Sequence, residues 1–81
     1  MKVRIRLGSG IARLARAPVI MLELPDDATI EDVYDVLATG NPGLAPALRC
    51  ALPVLQGAHV ERAQTLTHGD EVALLAPVSG G

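Results

Sequence analysis

Cys50 is the sole thiol of this 81-residue chain, and His59 and His68 are its sole imidazoles. A metal centre needs at least three ligands held in a fixed geometry. Glu61 stands near one histidine and Asp70 near the other, which is ordinary neighbouring, so no metal is assigned. A single cysteine excludes an intramolecular disulfide and any multi-cysteine metal site. As a nucleophile it would need a neighbouring histidine to lower its pKa. The run Arg49-Cys50-Ala51 supplies none, and a packing or surface role is the simpler account. The carboxylate pairs Asp26-Asp27 and Glu31-Asp32 have the make-up of a general acid–base couple. Both lie where a helix begins, and the positive end of a helix dipole accounts for acids there.

The C-terminus carries the more specific chemistry. Gly80-Gly81 follow an apolar run and a Pro77-Val78-Ser79 spacer. Glycine has no Cβ, so two of them can pass through a narrow channel into another protein's active site. The carboxylate of Gly81 would arrive there as the only reactive group. Carboxylates are poor electrophiles, but adenylation by ATP makes the carbonyl open to a sulfur or nitrogen nucleophile. Taken alone, such an ending does not outweigh a frayed end or a cloning remnant.

Periodicity shows the elements that would present this tail. Residues 2–7 alternate, with Val3, Ile5 and Leu7 on one face and Lys2, Arg4 and Arg6 on the other, as in a half-buried strand. Gly8-Ser9-Gly10 is a turn signal, and residues 11–17 read as an extended hairpin connection with at most one short helical turn. Residues 19–24 then predict a second strand, with Ile20, Leu22 and Leu24 on a shared face. Thr29-x-x-Asp32 is a capping box that opens a helix, and Ile30, Val33, Tyr34 and Leu37 form its buried stripe. Gly40 is expected to stop it as a C′ glycine before the turn Asn41-Pro42-Gly43. Residues 44–52 are compatible with a short helix or a loop. A short strand at Val54-Leu55 ends near Gly57, residues 58–60 continue after a bend, and residues 65–70 form a turn. The last strand spans residues 71–76, apolar on both faces and therefore suited to a central position. The expected organisation is a domain over residues 1–76 and a flexible tail over 77–81.

Composition narrows the classes further. A chain of this length is one domain, and 49% apolar with 20% charged residues describes a folded one. Phe and Trp are absent and Tyr34 is the one aromatic, so the core is aliphatic and base-stacking platforms are missing. A net charge of −2 also argues against a polyanion binder, and no nucleic-acid partner is expected. The first residues offer no signal-peptide hydrophobic region, and the longest apolar run, residues 72–78, is far short of the roughly 20 residues of a membrane span. A cytoplasmic protein with no membrane partner is the expectation. Lys2, Arg4, Arg6, Arg13 and Arg16 cluster early in the chain, which suits either steering of an acidic partner or a charged edge that resists aggregation.

A hairpin, a helix across it and further strands suggest an α+β, β-grasp (ubiquitin-like) fold: a mixed sheet wrapped around one main helix. With that fold, the run Gly69-Asp70-Glu71-Val72-Ala73-Leu74-Leu75-Ala76-Pro77-Val78-Ser79-Gly80-Gly81 resembles the ending of the MoaD-like sulfur carriers of the MoaD/ThiS superfamily. Only Ala76 departs from the family's usual proline. The stretch from Glu23 to Val33 and the run Val54-Leu55-Gln56-Gly57 are weaker matches to the same family.

The resemblance implies a carrier, not an enzyme. An E1-like adenylating enzyme using ATP and magnesium would activate Gly81, and a sulfurtransferase would supply sulfur to form a thiocarboxylate. The large subunit of molybdopterin synthase would receive the tail, with a heterotetramer as one arrangement, and sulfur would pass to a pyranopterin precursor of the molybdenum cofactor. Gly81 would be the transferring residue, Gly80 the slim approach, and Ser79, Val78 and Pro77 the partner contact. No cofactor is expected on the chain itself. Carriers for thiamine, cysteine synthesis or tRNA thiolation, a protein modifier, and a plain β-grasp interaction module remain the alternatives.

Overall fold

The structure is a computed structural model that describes residues 1–77. The alternation in β1 (Lys2–Leu7) buries Val3, Ile5 and Leu7 and exposes Lys2, Arg4 and Arg6. β2 (Val19–Glu23) pairs with it antiparallel, Ile5 facing Ile20. On the other side of β1 lies β5 (Glu71–Leu75), parallel to it, with Ile5 opposite Val72 and Leu7 opposite Leu74. β3 (Leu52–Leu55) pairs antiparallel with β5, and β4 (Ala58–His59) with β3. The resulting order is β2-β1-β5-β3-β4, so the last strand is central, as its apolar composition predicts.

One helix fills the concave face. In α2 (Ile30–Gly40) the residues Ile30, Val33, Tyr34 and Leu37 are buried, at the spacing of a single stripe. They pack with Val3, Ile5, Val72 and Leu74, all four of which are fully buried. Each such aliphatic side chain contributes about 1.5–3 kcal/mol on leaving water. At the helix entry the Asp32 carboxylate accepts the Thr29 N–H at 2.8 Å, which satisfies a donor that has no helical partner. The expected mixed sheet around one main helix is what forms.

Several local expectations are corrected. Residues 9–15 are not an extended connection but a helix, α1 (Ser9–Ala15), because Ile11 can be buried to 1% exposure beneath it. Arg16 closes α1 in a left-handed conformation (φ 59°). Gly40 is the last residue of α2, not a left-handed C′ residue. The helix stops because Asn41 precedes Pro42, which favours extended backbone, and Asn41 has φ −147°. Within residues 44–52, left open between helix and loop, lies α3 (Ala45–Cys50), entered by a 3₁₀ turn (Pro42–Leu44) and held by buried Leu44 and Leu48. Leu66, assigned to a turn by its polar neighbours, is buried in the core at 2% exposure.

Pro53 lies inside β3, one residue earlier than the expected strand. Its carbonyl accepts the Val60 N–H at 3.1 Å, so its missing donor also faces the β4 side, where the ladder is ending. The ladder to β5 loses nothing. Gln56 (φ 53°) and Gly57 (φ 79°) make the β3–β4 turn, with positive φ at both positions as two-residue hairpins require.

Candidate functional site: the root of the tail and the outer sheet face

Pro77 is exposed and follows β5 by two residues. Val78, Ser79, Gly80 and Gly81 lie outside the described residues. β5 is held hard at the end from which the chain leaves. Gly8 donates its N–H to the Leu74 carbonyl at 2.9 Å. A Cβ on Gly8 would stand 3.3 Å from that same oxygen and 3.5 Å from Leu75 Cα, so the close approach favours glycine. On the other side, Leu52 of β3 pairs with Leu75.

The face of the sheet away from α2 is built from the alternate residues of each strand. Read by register, its rows run from the tail end to the opposite end. Leu52 and Leu75 form the first row, and Val54, Ala73, Arg6 and Val19 the second. Glu71, Arg4 and Met21 form the third, and Lys2 with Glu23 the fourth. Val19, Met21, Leu52 and Leu75 are between 38% and 55% exposed. Aliphatic side chains therefore gather where the tail emerges, and charge gathers at the far end. Scattered exposed leucines need no explanation, but a grouped set on one face makes that face the candidate interaction surface.

This face was not found from sequence. The last strand is apolar on both faces and central as expected, but the face that carries Leu75 is open. The available signal was parity: Val19, Met21, Leu52 and Leu75 fall on the strand positions that should be polar.

The basic residues are only partly spent. Arg6 lies 3.7 Å from Glu71, and Lys2 lies 3.9 Å from Glu23. Pairs this exposed are worth at most about 1 kcal/mol. Arg4 makes no ion pair among the described residues. Arg13 and Arg16 belong to α1 and its cap, not to the β1 row. A shallow depression of about 430 Å³ lies between Arg6, Glu71, Asp70 and the Gln56-Gly57 turn.

The remaining sequence candidates do not converge. Cys50 ends α3 and is exposed. His59 is exposed on β4, while His68 Nδ1 accepts the Lys2 N–H at 3.0 Å. Among the described residues no group of three His, Cys, Asp or Glu side chains could hold a metal ion, and no helix is long and apolar enough to cross a membrane. Asp26 sits 3.5 Å from the N-terminal ammonium, Asp32 caps α2, and Glu31 pairs with Arg62 at 3.2 Å, so these acids have structural roles.

Arg62 also spans Tyr34, 4.1 Å above its ring, and donates to the Leu48 carbonyl at 3.3 Å. Tyr34 in turn donates its hydroxyl to the Ala51 carbonyl at 2.8 Å. Burial raises the tyrosine pKa above 10.0, Arg62 opposes that shift, and Glu31 adds to it. The one aromatic residue thus clamps α2, α3 and the loop that leads to β5.

A five-stranded mixed sheet around one main helix, with the last strand at its centre beside the first, defines a ubiquitin-like β-grasp protein. The chain belongs to the ThiS family, whose model matches residues 12–81. It is 25% identical to the molybdopterin synthase sulfur carrier subunit of Arabidopsis thaliana over 81 residues, all of this chain and 84% of that protein. Its backbone is similar to that of SAMP1 from Haloferax volcanii, with a TM-score of 0.88, 25% identity and full coverage of both chains. It is also similar to a chain in the complex of subunits 1 and 2 of the molybdopterin-converting factor from Helicobacter pylori, with a TM-score of 0.71, 22% identity and full coverage of both.

Proposed function

We propose that this chain carries sulfur on its C-terminal carboxylate for molybdopterin synthesis. The observation that carries the reading is the run from Gly69 to Gly81: the central strand passes directly into Pro77-Val78-Ser79-Gly80-Gly81, within the residues that the family model matches. A Gly81 carboxylate oxygen attacks the α-phosphorus of ATP on an E1-like enzyme, and pyrophosphate leaves. The persulfide of a sulfurtransferase attacks the acyl carbon and AMP leaves. A second thiol then cleaves the acyl disulfide and frees the thiocarboxylate. The large subunit of molybdopterin synthase receives the tail, and the sulfur passes to a pyranopterin precursor.

Catalytic groups, ATP and magnesium belong to the partners in this scheme. The chain contributes reach through Pro77, Val78 and Ser79, thinness through Gly80, and the reacting carboxylate of Gly81. The aliphatic rows around Leu52 and Leu75 support a partner surface that closes over the root of the tail, with Arg4 and Arg6 favouring acidic residues opposite them.

Intact mass of the chain from its own host, beside a copy lacking Gly81, tests the proposal. A species heavier by the difference between sulfur and oxygen, present only with Gly81, is expected. Plain carboxylate alone, even after ATP and the host's activating enzyme are added, would sink the carrier reading. The likeness to SAMP1, a small archaeal modifier protein, favours one second reading, in which Gly81 is joined to a target lysine. Lysine-linked adducts that retain this chain would support that reading.

A further inference from the structure

The two edges of the sheet differ. β4 is an edge of two residues, which leaves little backbone to pair. β2 is an edge of five residues, Val19-Ile20-Met21-Leu22-Glu23. Edge strands are usually protected by lysine, proline, a bulge or a covering loop. β2 contains neither lysine nor proline, and it pairs with β1 in unbroken register. Leu7 donates to the Pro18 carbonyl and Leu24 to that of Met1, so even-numbered residues face β1. The N–H and C=O groups of Val19, Met21 and Glu23 consequently point away from the sheet. Among the described residues nothing bonds to them.

The side chains along this edge are apolar on both faces. Met21 is 55% exposed and Val19 38% exposed on the outer face. On the helix side an open groove of about 320 Å³ is lined by Ala15, Ile20, Leu22, Val36, Leu37 and Leu44. Val36 is 41% exposed there, and Gly40 at the end of α2 has open space where a Cβ would stand.

We propose that β2 pairs with β2 of a second copy, antiparallel, about a two-fold axis through Met21. The edge is self-complementary in that register. Met21 faces Met21, and Ile20 of each copy faces Leu22 of the other, filling the floor between the two α2 helices. Val19 faces Glu23, so the two Glu23 carboxylates stand at opposite ends of the seam, each beside its own Lys2 at 3.9 Å. No like charges meet along it. A two-fold contact of this kind closes on itself, which stops growth at two copies. β5 lies two strands from the seam, so the dimer does not cover that strand, and this proposal stands apart from the sulfur-carrier reading.

The register makes the test specific. The two Met21 residues form a hydrogen-bonded pair with Cα atoms about 5.5 Å apart, inside the range a disulfide spans. The two Val19 residues lie about 14 Å apart, outside it. In a Cys50→Ser background, Met21→Cys is expected to form a cross-linked dimer under a mild oxidant, and Val19→Cys to remain monomeric. Sedimentation of the unmodified chain is expected to show mass rising from 8.4 kDa towards twice that value with concentration. Met21→Pro removes an N–H that bonds to nothing among the described residues, so it should abolish the rise and keep the melting temperature. Leu75→Lys, on the outer face, should dimerise normally. Equal cross-linking of both cysteine variants, a monomer at all concentrations, or loss of the dimer in Leu75→Lys would each overturn the proposal. So would an edge that pairs only with an extended segment of another protein.

Discussion

Leu74→Ala tests whether the last strand faces the core with the parity described. Leu74 is fully buried, in the middle strand of the sheet, with Leu7 on one side and Pro53 on the other. Its carbonyl is bonded to Gly8 and its strand is paired on both sides, so the backbone cannot easily move into the space left behind. The cost should fall in the middle of the range for buried leucines, about 3–4 kcal/mol. A domain of this size has roughly 4–12 kcal/mol of stability in total. At several degrees per kcal/mol, the melting temperature should drop by roughly 15–25 °C. Leu75→Ala provides the internal comparison. Leu75 points to the outer face and is 41% exposed, so its truncation should cost less than about 1 kcal/mol and move the midpoint by about 5 °C or less. Thermal and urea unfolding followed by circular dichroism measures both. Equal shifts for the two neighbours, or a Leu74→Ala midpoint within about 5 °C of the parent, would refute the assignment of faces.

Gly81→Ala should leave the melting temperature unchanged and block adenylation, read as pyrophosphate release with the activating enzyme; normal release would refute the narrow-channel argument. Asp32→Ala removes the acceptor for the Thr29 N–H and should cost about 1 kcal/mol in urea unfolding, with Asp32→Glu recovering part of it. Tyr34→Phe orphans the Ala51 carbonyl and should cost about 1 kcal/mol at neutral pH. The folded tyrosine has a raised pKa, so its contribution is complete below the unfolded value near 10 and is lost as pH rises through the folded value. The parent should therefore lose its advantage over Tyr34→Phe in alkaline urea titrations, and a constant gap across that range would count against it.

Sequence reading succeeded where one face of an element had to be buried. The alternation in residues 2–7 and the stripe Ile30, Val33, Tyr34, Leu37 each allow one orientation only. It failed where a tertiary contact decided the outcome. Residues 8–16 contain two glycines and two arginines, yet residues 9–15 form α1 because Ile11 has a core to enter. Pro53 looked like the boundary of a strand, and only the pairing of β3 reveals that its missing donor faces the fading ladder. The Gly-Gly ending is a local feature of the sequence and lies outside the described residues. The aliphatic rows of the outer face were not legible, because Val19, Leu52 and Leu75 come to one end of the sheet only when four strands are in register.

The parallel pairing of β1 with β5 also bears on how the molecule carries load. Met1 precedes one strand, and the chain leaves the other at the opposite end of the sheet. Tension between the N-terminus and the tail therefore runs along the ladder, in shear, and all of its bonds resist together. Any protein that grips the chain beyond Leu75 pulls on the strand that is anchored on both flanks. A pull on the chain beyond Leu75 is thus met by the whole ladder at once and does not unzip it.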